Sequence, residues 1–189
     1  MVTHIASITI TEKPVADFSY SNFDYCSNPA VAETITPTMG TGAVKGTFSY
    51  TATPTGAVLD LDTATGEIDI QASEEGTYII KNTVDTEGDG CDSVSKDFSI
   101  TIDKLPKAVF SYSGISPDKS FCISNLGATI ETSPDTGGTY SISGPSALVT
   151  VNSSTGVLSW TAAEAVPGTY TVTYTIPAGT VCDEVAHSE

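Results

Sequence analysis

Along the run Thr169-Tyr170-Thr171-Val172-Thr173-Tyr174-Thr175-Ile176 the chain alternates strictly, with Tyr170, Val172, Tyr174 and Ile176 on one side and four threonines on the other. A period of two marks a β-strand buried on one face, because successive side chains of a strand point to opposite faces. Similar short runs, rich in Val, Ile, Thr, Tyr and Phe, recur along the chain and are separated by clusters of Gly, Pro, Asn, Asp and Ser. No amphipathic pattern of about ten residues or more predicts a helix; only a turn is expected over 162–165. Strands that are apolar on one face must bury it against a second sheet, so the predicted fold is all-β, with antiparallel β-sandwiches.

The pattern is written twice. "GTYIIKNTV", from Gly76 to Val84, returns 92 residues later as "GTYTVTYTI", from Gly168 to Ile176. Phe18-Ser19-Tyr20-Ser21 returns as Phe110-Ser111-Tyr112-Ser113, and Gly46-Thr47-Phe48-Ser49 as Gly138-Thr139-Tyr140-Ser141. "LDLDTATGEI" (Leu59 to Ile68) matches "VTVNSSTGVL" (Val149 to Leu158), and the glycine of each, Gly66 or Gly156, sits where a hairpin needs a residue at positive φ. Each copy holds an early cysteine, Cys26 or Cys122, and a late one, Cys91 or Cys182. A unit of this length suits one sandwich domain. The expected division is therefore a spare strand from a preceding repeat in 1–13, a first repeat in 14–105 and a second in 106–189.

Composition narrows the partners. The net charge is −16 and no arginine is present; residues 18–105 carry 14 acidic side chains against 4 lysines, and 106–189 carry 7 against 2. Phosphate backbones and anionic membranes are held by clustered Lys and Arg, so nucleic acid is excluded as a partner and membrane insertion is not expected. The acidity reads as a solvated, mutually repelling surface. Among the three pairings open to four cysteines, one early and one late per repeat favours Cys26–Cys91 and Cys122–Cys182, which points to an oxidising compartment. Closing loops of that size is worth about 4 kcal/mol per domain in the chain-entropy model.

Candidate chemistry is sparse. Both histidines, His4 and His187, lie near the ends of the chain, and no nucleophile elbow, phosphate loop or His-rich metal motif is present. In "DTEGDGCD" the acids Asp85, Glu87 and Asp89 alternate before Gly90, an arrangement of oxygen ligands that suits calcium. The matching loop, "PAGTVCD", has one acid, Asp183, so a water-exposed acidic hairpin tip with at most a weak calcium site is expected, and no cofactor. The sole tryptophan, Trp160, takes the place of Ile70 in the first copy, which predicts a core role over a sugar-stacking one.

The order Phe-Ser-Tyr-Ser, Cys, Gly-Thr-Phe, "LDLDTATGEI", Gly-Thr-Tyr, Gly-Cys and "FSITIDKLPKAVFSYS" resembles the Ig-like repeats strung along very large surface adhesins of Bacteroidetes, including the mobile adhesin of gliding flavobacteria. The resemblance covers essentially the whole chain. It implies two tandem Ig-like sandwiches, each with one intradomain disulfide, exported to the cell surface as part of a non-catalytic adhesin stalk that serves adhesion or gliding. Neighbouring repeats of the same protein are the implied partners, with a surface glycan or protein as the external ligand. A carbohydrate-binding module of a secreted or surface protein is the alternative. The short linker "DKLPK", stiffened by Pro106, suits a semi-rigid rod.

"ASITITEKPVADFSY" (Ala6 to Tyr20) also matches "FSITIDKLPKAVFSY" (Phe98 to Tyr112), whereas "CDEVAHSE" has no counterpart of Phe98 to Ile102. The expectation is a spare strand at one end, an open sheet edge at the other, and head-to-tail strand exchange between molecules.

Overall fold

The computed structural model describes residues 4, 6, 8, 10–86, 91–113, 120–124, 127–161 and 166–189. It divides into two compact units, Met1–Lys104 and Leu105–Glu189. All regular structure among the described residues is β, and no helix occurs there.

The first unit contains β1 (Phe18–Ser19), β2 (Asp24–Ser27), β3 (Thr34–Ile35), β4 (Thr38–Met39), β5 (Thr47–Thr53), β6 (Asp60–Leu61), β7 (Ile68–Asp69), β8 (Gly76–Val84) and β9 (Val94–Lys104). A four-stranded sheet runs β2-β9-β8-β5, a three-stranded sheet β3-β7-β6, and β1 pairs with β4. Alternation sets the faces of β8: Tyr78, Ile80, Asn82 and Val84 are buried, while Thr77, Ile79 and Lys81 are exposed. Ile68 and Ile70 meet Tyr78, Ile80, Ile100 and Ile102 in one core with Phe18 and Phe48. The Phe48 ring lies edge-on to Phe18, with centroids 5.4 Å apart. The expected antiparallel arrangement has one exception: β2 runs parallel to β9, with Tyr25 beside Ile102 and Cys26 beside Asp103. Most of the unit intervenes between these two strands, which is the long crossover that parallel pairing requires.

The second unit contains β10 (Ser111–Tyr112), β11 (Ile130–Thr132), β12 (Thr139–Ser143), β13 (Thr150–Val151), β14 (Leu158–Ser159), β15 (Thr171–Ile176) and β16 (Val185–Ser188). Its sheets are β12-β15-β16, β13-β14 and β10-β11. Phe110, Tyr112, Tyr140, Leu158, Val172, Tyr174 and Ile176 belong to its core.

Both units fasten the start of the repeat to the hairpin glycine. The Tyr20 hydroxyl donates to the Gly66 carbonyl at 2.5 Å, and the Tyr112 hydroxyl to the Gly156 carbonyl at 2.7 Å. Burial raises the pKa of both phenols, Tyr112 to about 12. Where the units differ most is the strand after the late cysteine: β9 spans 11 residues and β16 only 4.

Candidate functional site

The cysteines are not joined as the repeat pattern suggests. Cys91 and Cys122 are free thiols and Cys26 and Cys182 are oxidised, so neither Cys26–Cys91 nor Cys122–Cys182 is formed. This corrects the expected pairing within each repeat. The reason lies in strand direction. Cys26 sits beside Asp103, whereas Cys91 precedes Val94 at the other end of β9, about 30 Å away along the strand. A disulfide needs Cα atoms within about 7 Å. In the second unit Cys182 follows the Ile176 end of β15, whereas Cys122 precedes Ile123, which shares a cavity with Tyr170 near the opposite end of that strand.

Of the three candidate calcium ligands, Asp85 is exposed just after β8, and Glu87 and Asp89 lie outside the described residues. Among the described residues no group of three or more His, Cys, Asp or Glu side chains is placed to hold a metal. His187 is held more firmly than a chain end implies. It lies in β16 opposite Tyr174, 3.5 Å from the Glu189 carboxylate, with its ring edge-on to Phe110.

The most distinctive concave feature is a cavity of about 680 Å³ in the second unit, which Tyr112, Phe121, Leu158, Trp160, Tyr170 and Val172 help to line. Its origin is clear from the first unit. There β9 continues past Phe98, which pairs with Ile80, to place Ile100 opposite Tyr78 and Ile102 opposite Gly76. Ile100 and Ile102 are 1% and 0% exposed, and Phe98 stacks on Phe23 with centroids 5.2 Å apart. In the second unit Glu189 takes the place of Phe98, exchanging two backbone hydrogen bonds with Val172 at 2.8 and 2.9 Å. Past that point, Tyr170 and Gly168 have no strand opposite them among the described residues. The cavity occupies the place that two isoleucines fill in the first unit.

Trp160 is half-buried and packs against the core, yet it also faces this cavity, so the position of Ile70 gave its location and not its full burial. Its indole N–H donates to the Ile123 carbonyl at 3.1 Å, and its ring lies 6.0 Å from that of Phe121. The aromatic lining of this cavity was not visible from the sequence.

Residues 111–185 match the family model described as "Putative Ig domain". The sequence matches no curated protein. Among solved structures, a similar one is the C-terminal 282-residue fragment of intimin in complex with the translocated intimin receptor intimin-binding domain. It is 14% identical with a TM-score of 0.43, covering 94% of this chain and 64% of that one. Human CDH23 EC21-23 is 10% identical with a TM-score of 0.41, covering 91% and 63%. Mouse cadherin-23 EC22-24 is 12% identical with a TM-score of 0.38, covering 93% and 65%. The chain spans less than two thirds of the length of each.

Proposed function

We propose that this protein is a pair of tandem, non-catalytic Ig-like repeats, residues 14–105 and 106–189, from an extended cell-surface adhesin stalk of the Bacteroidetes type, serving adhesion or gliding. The observation that carries this reading is repetition of one plan: each unit has a core of its own and the same tyrosine-to-hairpin bond, Tyr20–Gly66 and Tyr112–Gly156. Two further features support it. Residues 111–185 match an Ig family, and an oxidised cysteine pair suits an extracellular location. No described helix is long and apolar enough to cross a membrane. The aromatic cavity around Trp160 favours one second reading, a carbohydrate-binding module.

Small-angle X-ray scattering on the 189-residue chain at low concentration tests the stalk. The expected result is a rod whose maximum dimension approaches twice that of either unit. A compact particle, no longer than about one and a half units, overturns it.

A further inference from the structure

The four-stranded sheet of the first unit has two edges, and they differ in charge. β2, at one side, carries Asp24. β5, at the other, is 7 residues long, carries no charge and pairs with β8 without a bulge from Thr47 to Thr53. Backbone groups of successive residues in a strand point to opposite sides. The Phe48 N–H turns away from β8 to the Thr63 carbonyl at 2.8 Å, so the N–H and C=O groups of Tyr50 and Ala52 point to that same outer side. No hydrogen bond among the described residues meets them there. A long, regular, uncharged edge of this kind is a template for strand pairing.

Charge selects the occupant. The chain has 23 acidic side chains and a net charge of −16, so two copies repel over most of their surface. β5 lies within residues 34–59, which hold no acid and a single lysine, Lys45. We propose that β5 of one copy pairs antiparallel with β5 of a second copy about a twofold axis at Thr51, so that the two sheets become continuous. Tyr50 then faces Ala52 of the second copy, Ala52 faces its Tyr50, and each of these residues gains one donated and one accepted backbone hydrogen bond. Further out, Phe48 would face Pro54 of the second copy. The outward N–H of Phe48 is already bound to Thr63 and Pro54 has none, so the ladder ends without a stranded donor. The exposed Thr51 meets its own counterpart across the axis, in the closer, non-hydrogen-bonded kind of pair, with Cα atoms about 4.5 Å apart. In the second unit, β12 likewise commits its Tyr140 N–H to the Ser153 carbonyl, but it ends at Ser143 with Pro145 soon after, which leaves Ile142 alone inside the strand to pair. The contact therefore belongs to the first unit. It uses this edge alone and stands whether or not the protein is a surface stalk.

So short a ladder makes a weak contact, and an isologous one closes at the dimer. Sedimentation equilibrium on the full chain, taken up to about 1 mM, is expected to show monomer and dimer with no larger species. Thr51→Glu and Thr51→Lys each place like charges across the axis from an exposed position, and each alone is expected to weaken dimerisation about tenfold or more. An equimolar mixture of the two is expected to restore it, which separates a lost contact from a misfolded variant. Under mild oxidation Thr51→Cys is expected to give a dimer whose cross-linked peptide joins position 51 to its own counterpart. Ser49→Cys, which this register places beside Thr53 of the second copy, is expected to give none. Four results overturn the proposal: a full chain that is monomeric at about 1 mM; a dimer that neither charge variant weakens; one that both weaken and mixing does not restore; or cross-linking as ready at Ser49→Cys as at Thr51→Cys.

Discussion

At the residue scale, the two repeats use different side chains for one task. The buried Asn82 accepts from the Gly46 N–H at 2.8 Å and donates to the carbonyls of Ala16 and Val44. The equivalent residue, Tyr174, accepts from the Gly138 N–H at 2.8 Å and donates to the Asp135 carbonyl. A phenol on a longer arm reaches the same backbone donor that an amide meets at closer range, and in each case a polar group inside the sandwich is satisfied. Repeat matching aligns Asn82 with Tyr174 but says nothing of what either touches, so this equivalence was not legible in the sequence. The free thiols differ as well. Cys122 is exposed, and hydrogen bonds from the Ser124 side chain (3.1 Å) and backbone hold its pKa below that of an ordinary thiol. A lowered pKa means more thiolate at neutral pH. Iodoacetamide at about pH 7.5 is expected to modify Cys122 before the half-buried Cys91, and Ser124→Ala to slow Cys122 several-fold, with labelling followed by peptide mass spectrometry. Equal rates at the two cysteines, unaffected by that change, refute this.

Among the elements, the hairpins were the most legible because their chemistry is local. The Asp62 carboxylate accepts the backbone N–H groups of Ala64 and Thr65 at 2.8 and 2.9 Å, and the Asn152 amide oxygen accepts those of Ser154 and Thr155 at 3.0 and 2.9 Å. Gly66 and Gly156 close these turns at φ 76° and 70°, and a Cβ on Gly66 would stand 2.7 Å from the Phe48 ring. Strand direction was not legible in the same way: the parallel β2–β9 pair, which separates Cys26 from Cys91, depends on how distant segments meet, and alternation along a strand does not encode that. The hairpin also yields a pH prediction. Backbone hydrogen bonds from Thr65 and then Ala64 lower the Asp62 pKa from its ordinary 3.8. A depressed carboxylate contributes its stability above the unfolded-state pKa and loses it as pH falls through the folded value, so the window lies below about pH 4. Asp62→Asn, which copies Asn152, is expected to leave the melting temperature at pH 7 nearly unchanged and to flatten its fall in acid. Asp62→Ala, which removes the acceptor, is expected to lower it at both. Equal losses at pH 7 for the two variants count against the assignment.

For the molecule as a whole, the place of the disulfide decides what it stabilises. A bond closed inside one sandwich constrains that sandwich's unfolded chain, and in the chain-entropy model a loop of the size expected from the repeat pattern is worth about 4 kcal/mol. With Cys91 and Cys122 free, neither sandwich is closed by a bond between its own two cysteines. Each sandwich must then stand on its own core: in the first unit Tyr78, Ile68, Ile80 and Ile102 are wholly buried, and in the second Phe110 is 1% exposed. Reduction therefore leaves the packing and ladders within each unit intact. Calorimetry with and without a phosphine reductant separates the two cases. With no disulfide between the two cysteines of either unit, reduction is expected to lower the melting temperature of each by less than about 5 °C. An intradomain staple of about 4 kcal/mol would correspond to a fall of roughly 15 °C or more for a domain of this size. A large fall in both units would return the bonds to Cys26–Cys91 and Cys122–Cys182. A non-reduced digest from the same sample checks this independently, with Cys91 and Cys122 expected as alkylated thiols and Cys26 and Cys182 only in cross-linked peptides.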